Sequence, residues 1–262
     1  VRDAETPAAA DARSAALRAG VAVVELDDMR AFSDARRLYE AVWRAGPTGS
    51  PVTADMLRAI SASGNPVLGA YDGQVLVGAC FGFCSPPETG NLHSHIAGVH
   101  ARMQGRSIGF ALKLHQRAWA IDRGIRTMTW TFDPLIRRNA VFNLVKLGTE
   151  VAAYLPDFYG DMDDEVNRSD ASDRLLVRWQ LHRPLPGPDP MPRAAEPMIP
   201  VAVPADIEAL RLADPVAAAG WRSRIRRELG DRLAAGARVR GFDRDGHYLI
   251  APAHPADSKE SA

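Results

Sequence analysis

The stretch His100–Trp119, HARMQGRSIGFALKLHQRAW, decides how this chain reads. Its first half is small, basic and glycine-containing. Its second half has the composition of a helix. A glycine turn that opens a helix aims free N–H groups and the positive end of the helix dipole at one point, which makes it an anion site. Which anion it suits depends on the flanking elements.

Upstream, GVAVVEL is short and β-branched and predicts a strand. SDARRLYEAVWRAG predicts a helix with Ser33 as N-cap and Gly46 as stop, and TADMLRAISASGN a shorter one capped by Thr53. PVLGAYDGQVLVGACFGF reads as a hairpin turning at Asp72-Gly73, and NLHSHIAGVH as the next strand. Downstream, the helix from about Ser107 to Arg123 stops at Gly124. RTMTWTF is a strand broken by Asp133-Pro134, RRNAVFNLVKLG a short helix ending at Gly148, and TEVAAYLPDFYG and DRLLVRWQL two more strands. The order β-α-α-β-β-β-α-β-α-β-β predicts an antiparallel meander and then one β-α-β crossover through the glycine turn. That is not the alternation of a doubly wound sheet.

This order excludes the common phosphate loops. A Walker loop needs Gly-Lys-Ser/Thr four residues after a first Gly, and QGRSIG has neither the spacing nor the Lys. A dinucleotide fingerprint follows the first strand of a β-α-β run, whereas this turn follows several antiparallel strands. A pyrophosphate cradle in a mixed sheet remains.

Composition sets the bounds. The 262 residues suit one domain with an appendage, and 46% hydrophobic residues can bury a core. Lys plus Arg equals Asp plus Glu at 32 each, so no overall charge points to nucleic acid. No apolar run reaches membrane-span length. Cys80 and Cys84 lack the partners of a tetrahedral zinc site, so no metal is expected. They read as two core residues in a reducing cytoplasm. Residues 1–18 are Ala-rich and charged, and read as a disordered or loosely helical tail. Residues 19–182 form the main domain, 183–197 a Pro-rich linker, and 198–252 a small lobe too short to hold its own core. In that lobe MIPVAVP reads as a strand, VAAAGWRSRIRRELGDRLAAG as a helix, and ARVRGFDRDGHYLIAP as a hairpin.

From about Val21 to Leu181 the sequence resembles the GNAT superfamily of N-acyltransferases. Gln104 and Gly109 match that family's Q/R-x-x-G-x-G/A turn, with Ser107 in place of its first Gly. DPLIRRNAVFNLVKLG resembles the family's fourth-helix pattern, in which Asn139, Lys146 and Gly148 fall near the expected places and Leu144 replaces the usual Tyr. The resemblance implies an α/β (α+β) fold, a mixed and mostly antiparallel sheet flanked by helices with the small C-terminal lobe attached. It implies transfer of an acetyl or succinyl group from acetyl-CoA or another acyl-CoA to a small-molecule amine, an amino acid among the acceptors. A non-catalytic acyl-CoA-binding regulatory module and a protein lysine acetyltransferase are the alternatives. Neither nucleic acid nor membrane is an expected partner, and a homodimer is left open.

The resemblance also assigns residues. Gln104, Gly105, Arg106, Ser107, Ile108 and Gly109 would hold the CoA diphosphate, with Ser107 as helix cap. Ile96, Ala97 and Val99 would offer backbone groups to pantetheine, with a bulge at Gly98 exposing the strand. Asn139, Phe142 and Lys146 complete the cofactor set. His93 or His95 is the expected base, sharing one strand face. With Leu144 in place of the motif phenol, Tyr159 is the expected acid and Asp157 an orienting or substrate-contacting group. Trp130, Asp133 and Arg138 are the expected acceptor contacts, with Arg137 the alternative to Arg138 as a carboxylate clamp. The acidic run Asp161–Glu165 is a further attraction for an amine.

Overall fold

The computed structural model describes residues 6–43, 50–160, 170–187 and 197–253. The stop expected at Gly46, the acidic run from Asp161 and most of the Pro-rich linker lie outside these residues. Two compact units are present, Val1–Thr129 and Trp130–Ala262. The boundary falls inside a strand rather than at the Pro-rich segment.

The first unit opens with a capped helix where a disordered or loosely helical tail was expected. α1, Pro7–Ala19, is capped by Thr6 and closed by Gly20 at φ 69°. Its buried residues are Ala8, Ala12, Ala15, Ala16 and Ala19, a stripe of small side chains at helical spacing. That stripe has too little apolar area to look like a core face, yet it lets α1 lie close against a second helix, α4 (Ile108–Asp122). Asp11 on α1 and Arg117 on α4 pair at 3.0 Å.

β1 (Ala22–Glu25) leads into α2 (Met29–Trp43) and α3 (Ala54–Ala62). α2 starts earlier than expected. Asp28 caps it by accepting the Ala31 N–H at 2.8 Å, and Ser33 lies inside the helix, its hydroxyl on the Met29 carbonyl. Thr53 caps α3 as expected. β2 (Val67–Asp72) and β3 (Val75–Cys84) form the expected hairpin, with Gly73 at φ 59° in its turn. β4 (Asn91–Val99) pairs antiparallel with β3. β5 (Thr127–Phe132) pairs parallel with β4 across the α4 crossover. Phe32, Leu38, Tyr39, Leu57, Val67 and Phe81 form the core on the α2–α3 side of this sheet. Cys80 is buried, but Cys84 is exposed because the last two residues of β3 run past the core.

In the second unit, a short helix α5 (Arg137–Ala140) continues as a π-helical turn, Val141–Lys146. β6 (Glu150–Leu155) and β7 (Arg174–Gln180) pair antiparallel. The seven strands run β1-β2-β3-β4-β5-β7-β6, a mixed and mostly antiparallel sheet as expected. The C-terminal segment supplies a three-stranded sheet: β8 (Ile199–Ala202), β9 (Arg238–Phe242) and β10 (His247–Ala251), in the order β8-β10-β9. It also supplies α6 (Ile207–Ala213), α7 (Pro215–Ile225) and α8 (Asp231–Ala234). α6 is an element the sequence reading passed over. This segment is tied to the preceding half of its unit by buried ions. Asp133 accepts from Arg211 at 2.6 Å and from Arg222 at 2.9 Å, and Asp170 joins the same pair of arginines at 2.8 and 2.9 Å. Tyr248 adds a bond from its hydroxyl to the Pro134 carbonyl at 2.7 Å. Among the described residues no helix is long and apolar enough to cross a membrane.

Candidate functional site

The site is built on β4. Its register with β3 runs Ala79↔Gly98, Cys80↔Ala97, Phe81↔Ile96 and then jumps to Gly82↔Ser94. His95 is therefore the extra residue of a β-bulge, three positions before the expected Gly98. Gly98 is regular, and its missing side chain serves packing: a Cβ there would lie 2.9 Å from the Trp43 ring. The parallel ladder to β5 covers only Asn91↔Thr127, Leu92↔Met128 and His93↔Thr129. β4 continues six residues past that ladder, through Ile96, Ala97 and Val99. Along this stretch no ladder to β5 is present among the described residues.

The bulge aims a set of rings outward. His93 lies opposite Phe83 in the register, with ring centroids 5.1 Å apart. His95 sits 5.7 Å from both Phe83 and His93, and 5.6 Å edge-on from Phe81. Phe83 is 41% exposed and His95 is exposed. Burial lowers His93 to about 4, helped by the neighbouring His95 and Lys113, and burial lowers His95 as well. Both imidazoles are thus neutral at pH 7. His93 is too weak to hold a proton there, so His95, at the bulge, is the better placed to take one.

On the opposite face of β4, Ser94 points under the sheet into a polar cluster that the sequence reading missed. Lys113, 4% exposed, donates to the Ser94 hydroxyl at 2.6 Å, and that hydroxyl donates to Gln116 Oε1 at 2.8 Å. Desolvation lowers Lys113 to about 7 and raises the buried Cys80 thiol to about 12. A signal was present in the sequence. Only three of the 32 basic residues are lysines, Lys113, Lys146 and Lys259, and this one sits between Leu112 and Leu114. Along the turn that carries Lys113, α4 is buried by α1 and by the sheet, so this side chain cannot carry its charge to water.

The turn before α4 has the shape an anion needs. Gly105 has φ 81° and Ser107 φ 62°. Ser107 is left-handed and makes no side-chain cap bond, contrary to the capping expected of it. The family pattern's Gly at this position now has a physical reason, because only Gly adopts that conformation without strain. The ladder of α4 begins with Phe110 and Ala111, which donate to the Ser107 carbonyl at 3.1 and 3.0 Å. The N–H groups of Ile108 and Gly109 therefore have no acceptor inside the helix. Gln104, Gly105, Arg106 and Ser107 are exposed, and Arg106 reaches Asp72 at 3.7 Å across a solvated surface.

The second unit places its candidates differently. Trp130 is buried edge-on against Trp179, and its indole N–H is bonded to Asn143 at 3.0 Å. Asp133 is buried in the arginine cluster, which holds it down to about 2 against the opposing effect of burial. Neither is open to an acceptor: both are packing elements of this unit. Arg138 pairs with Glu208, and Arg137 donates to the Val203 and Pro204 carbonyls at 2.7 and 2.9 Å. Both arginines therefore serve the C-terminal segment rather than stand ready as carboxylate clamps. Asp157, at φ 44°, accepts from the Ser172 N–H at 3.1 Å and fixes its own loop. Tyr159 is 39% exposed, with its phenol 3.0 Å from Thr131 Oγ1. Asn139 and Phe142 are half-buried in and beside α5, Leu144 lies in the π-helical turn, and Lys146 is exposed at its end.

No protein-family model matches the sequence, and no curated protein matches it. Solved structures do. A GNAT-family protein from Desulfovibrio desulfuricans is 18% identical, with a TM-score of 0.50 over 62% of this chain and 99% of its own. A GNAT-superfamily phosphinothricin acetyltransferase from Sinorhizobium meliloti, solved with acetyl-CoA, is 16% identical, with a TM-score of 0.50 over 63% of this chain and 89% of its own. The chain has the fold of the GNAT acetyltransferases.

Proposed function

We propose that this protein is an acyl-CoA-dependent N-acyltransferase that moves an acetyl or succinyl group to the amine of a small molecule, amino acids among them. One observation carries the reading. The left-handed turn Gly105–Ser107 at the start of α4 follows a strand that bulges at His95 and outruns its parallel partner. The turn suits a diphosphate, through the N–H groups of Ile108 and Gly109 and the charge of Arg106. A Cβ at Gly105 would meet nothing within 4 Å, so that side of the turn is open. The edge of β4 from Ile96 to Val99 suits the amide groups of a pantetheine arm.

His95 then takes the proton from the acceptor ammonium. The free amine attacks the thioester carbonyl carbon, the oxygen gathers charge, and the carbon–sulfur bond breaks as the amide forms. A backbone N–H of β4 stabilises the oxyanion. The attacking nitrogen gives up its second proton to water as the amide forms, and the thiolate leaves with a proton from water.

The test is thiol release from acetyl-CoA and succinyl-CoA with a panel of amines. His95→Ala should lower kcat by ~10²-fold or more with CoA affinity retained, the usual loss for a general base. His93→Ala should change kcat by less than about tenfold, since a group that neutral is a poor base. Amine-independent thiol release would point to thioester hydrolysis and count against the reading, and no release from a protein that binds CoA would favour the binding-module reading that Leu144 suggests.

A further inference from the structure

We propose that the acceptor amine carries a planar aromatic group, which stacks on the ring cluster of Phe83, His93 and His95. The inference rests on the acyl-transfer reading of this strand and narrows its substrate class. Three features of the cluster support it.

The rings are held, not incidental. Phe83 and His93 are cross-strand partners in the register, and the bulge sets His95 between Phe81 and Phe83 at 5.6 and 5.7 Å. Rings at such spacings on paired strands fix one another's orientation. The bulge is what brings His95 into this set, so the residue placed to take the proton and the surface offered to the acceptor arise from one irregularity.

The cluster also has an open side. Phe83 is 41% exposed although its neighbour Phe81 is 2% exposed, and His95 is exposed. A phenyl ring that far out of the core leaves one face for a visitor, in direct continuity with the base. The third feature is charge. His93 and His95 are both neutral at pH 7, so the patch shows uncharged π faces to the acceptor. Such a surface gives stacking energy to a flat ring and little to a saturated chain of the same size. It offers no fixed charge to clamp a polyanion.

The experiment compares 2-phenylethylamine with 2-cyclohexylethylamine, which share their carbon skeleton and differ in planarity. Acetyl-CoA is the donor, and the proteins are wild type and Phe83→Leu. Wild type should prefer the phenyl amine by about tenfold in kcat/KM, the size of one or two aromatic contacts. Phe83→Leu should bring the ratio below about threefold with the acetyl-CoA Kd unchanged by calorimetry, because Leu keeps the apolar area but not the ring. A wild-type ratio near one, or a ratio that survives Phe83→Leu, overturns the proposal while leaving acyl transfer intact. Absence of thiol release with every amine speaks instead against the acyl-transfer reading. In that case imidazole carbon–proton spectra decide the ring site. Saturable shifts of the His93 and His95 signals on adding 2-phenylethylamine, lost in Phe83→Leu, support it, and unmoved signals overturn it.

Discussion

Replacing Lys113 by Met should change how stability depends on pH more than it changes stability at any one pH. Lys113 has a folded value of about 7 against 10.5 for an unperturbed lysine. From pH 7 to 10.5 the unfolded chain therefore holds a proton that the folded chain has released. Stability must rise with pH across that interval, by at most ~1.4 kcal/mol per pH unit for one proton. Cys80 acts in the opposite sense from pH 9 upward. Its folded value of about 12 lies above 9.0, so the folded chain keeps a proton the unfolded chain loses. The clean window is pH 7 to 9, where the wild type should gain about 2–3 kcal/mol relative to Lys113→Met. Met retains most of the side-chain volume and removes the bond to Ser94, while Ser94 keeps its bond to Gln116. Urea unfolding of both proteins at pH 7, 8 and 9 measures the difference, and groups common to both cancel. Curves that stay parallel to within about 0.5 kcal/mol would show that Lys113 is charged in both states and refute the reasoning.

Three other substitutions probe the turn and the buried ions. Ser107→Gly should stabilise the protein by about 0.5–1 kcal/mol in thermal unfolding, since it relieves a left-handed Cβ. Ser107→Ala should be neutral within about 0.5 kcal/mol, and a loss near 1 kcal/mol would restore a capping role to this serine. Asp133→Asn should cost about 3–5 kcal/mol, because it leaves Arg211 and Arg222 short of one buried partner. The folded carboxyl lies near 2, below its ordinary 3.8, so its contribution is complete above about pH 4 and fades as pH falls toward 2. An acid titration in which wild type and Asp133→Asn differ equally at pH 2 and pH 6 would contradict this.

The sheet was legible because its strands carry period-two or β-branched patterns and its turns carry Asp72-Gly73, Gly124 and Gly148. Helix α1 was legible only as a disordered or loosely helical tail, because alanine buries little area and the helix's stability comes from docking on α4, which no local pattern announces. The residues of the turn at Gly105–Gly109 are legible in the sequence, but its backbone geometry is not. Ser107 opens the helix through a left-handed backbone and not through its hydroxyl. The bulge was placed at Gly98 because glycine is the usual marker of one. The register shows instead that Gly98 makes room for Trp43 and that His95 is the extra residue. Trp130, Asp133 and Arg138 looked available because they sit at a strand end and a helix start. Their partners, Trp179, Arg211, Arg222 and Glu208, come from 49 to 89 residues away in sequence, and such pairings are set by tertiary packing alone.

Direct binding of CoA at the α4 turn tests the central claim. Wild type should bind CoA in calorimetry and gain about 2.7 kcal/mol of stability at a hundredfold excess over Kd. Gly109→Glu should abolish both effects. A Cβ at Gly109 would meet only Val99 Cγ2 at 3.9 Å, an ordinary contact, so the variant can fold while its carboxylate repels the diphosphate. Binding that is unaffected by Gly109→Glu, or no binding by wild type at millimolar CoA, would contradict the account.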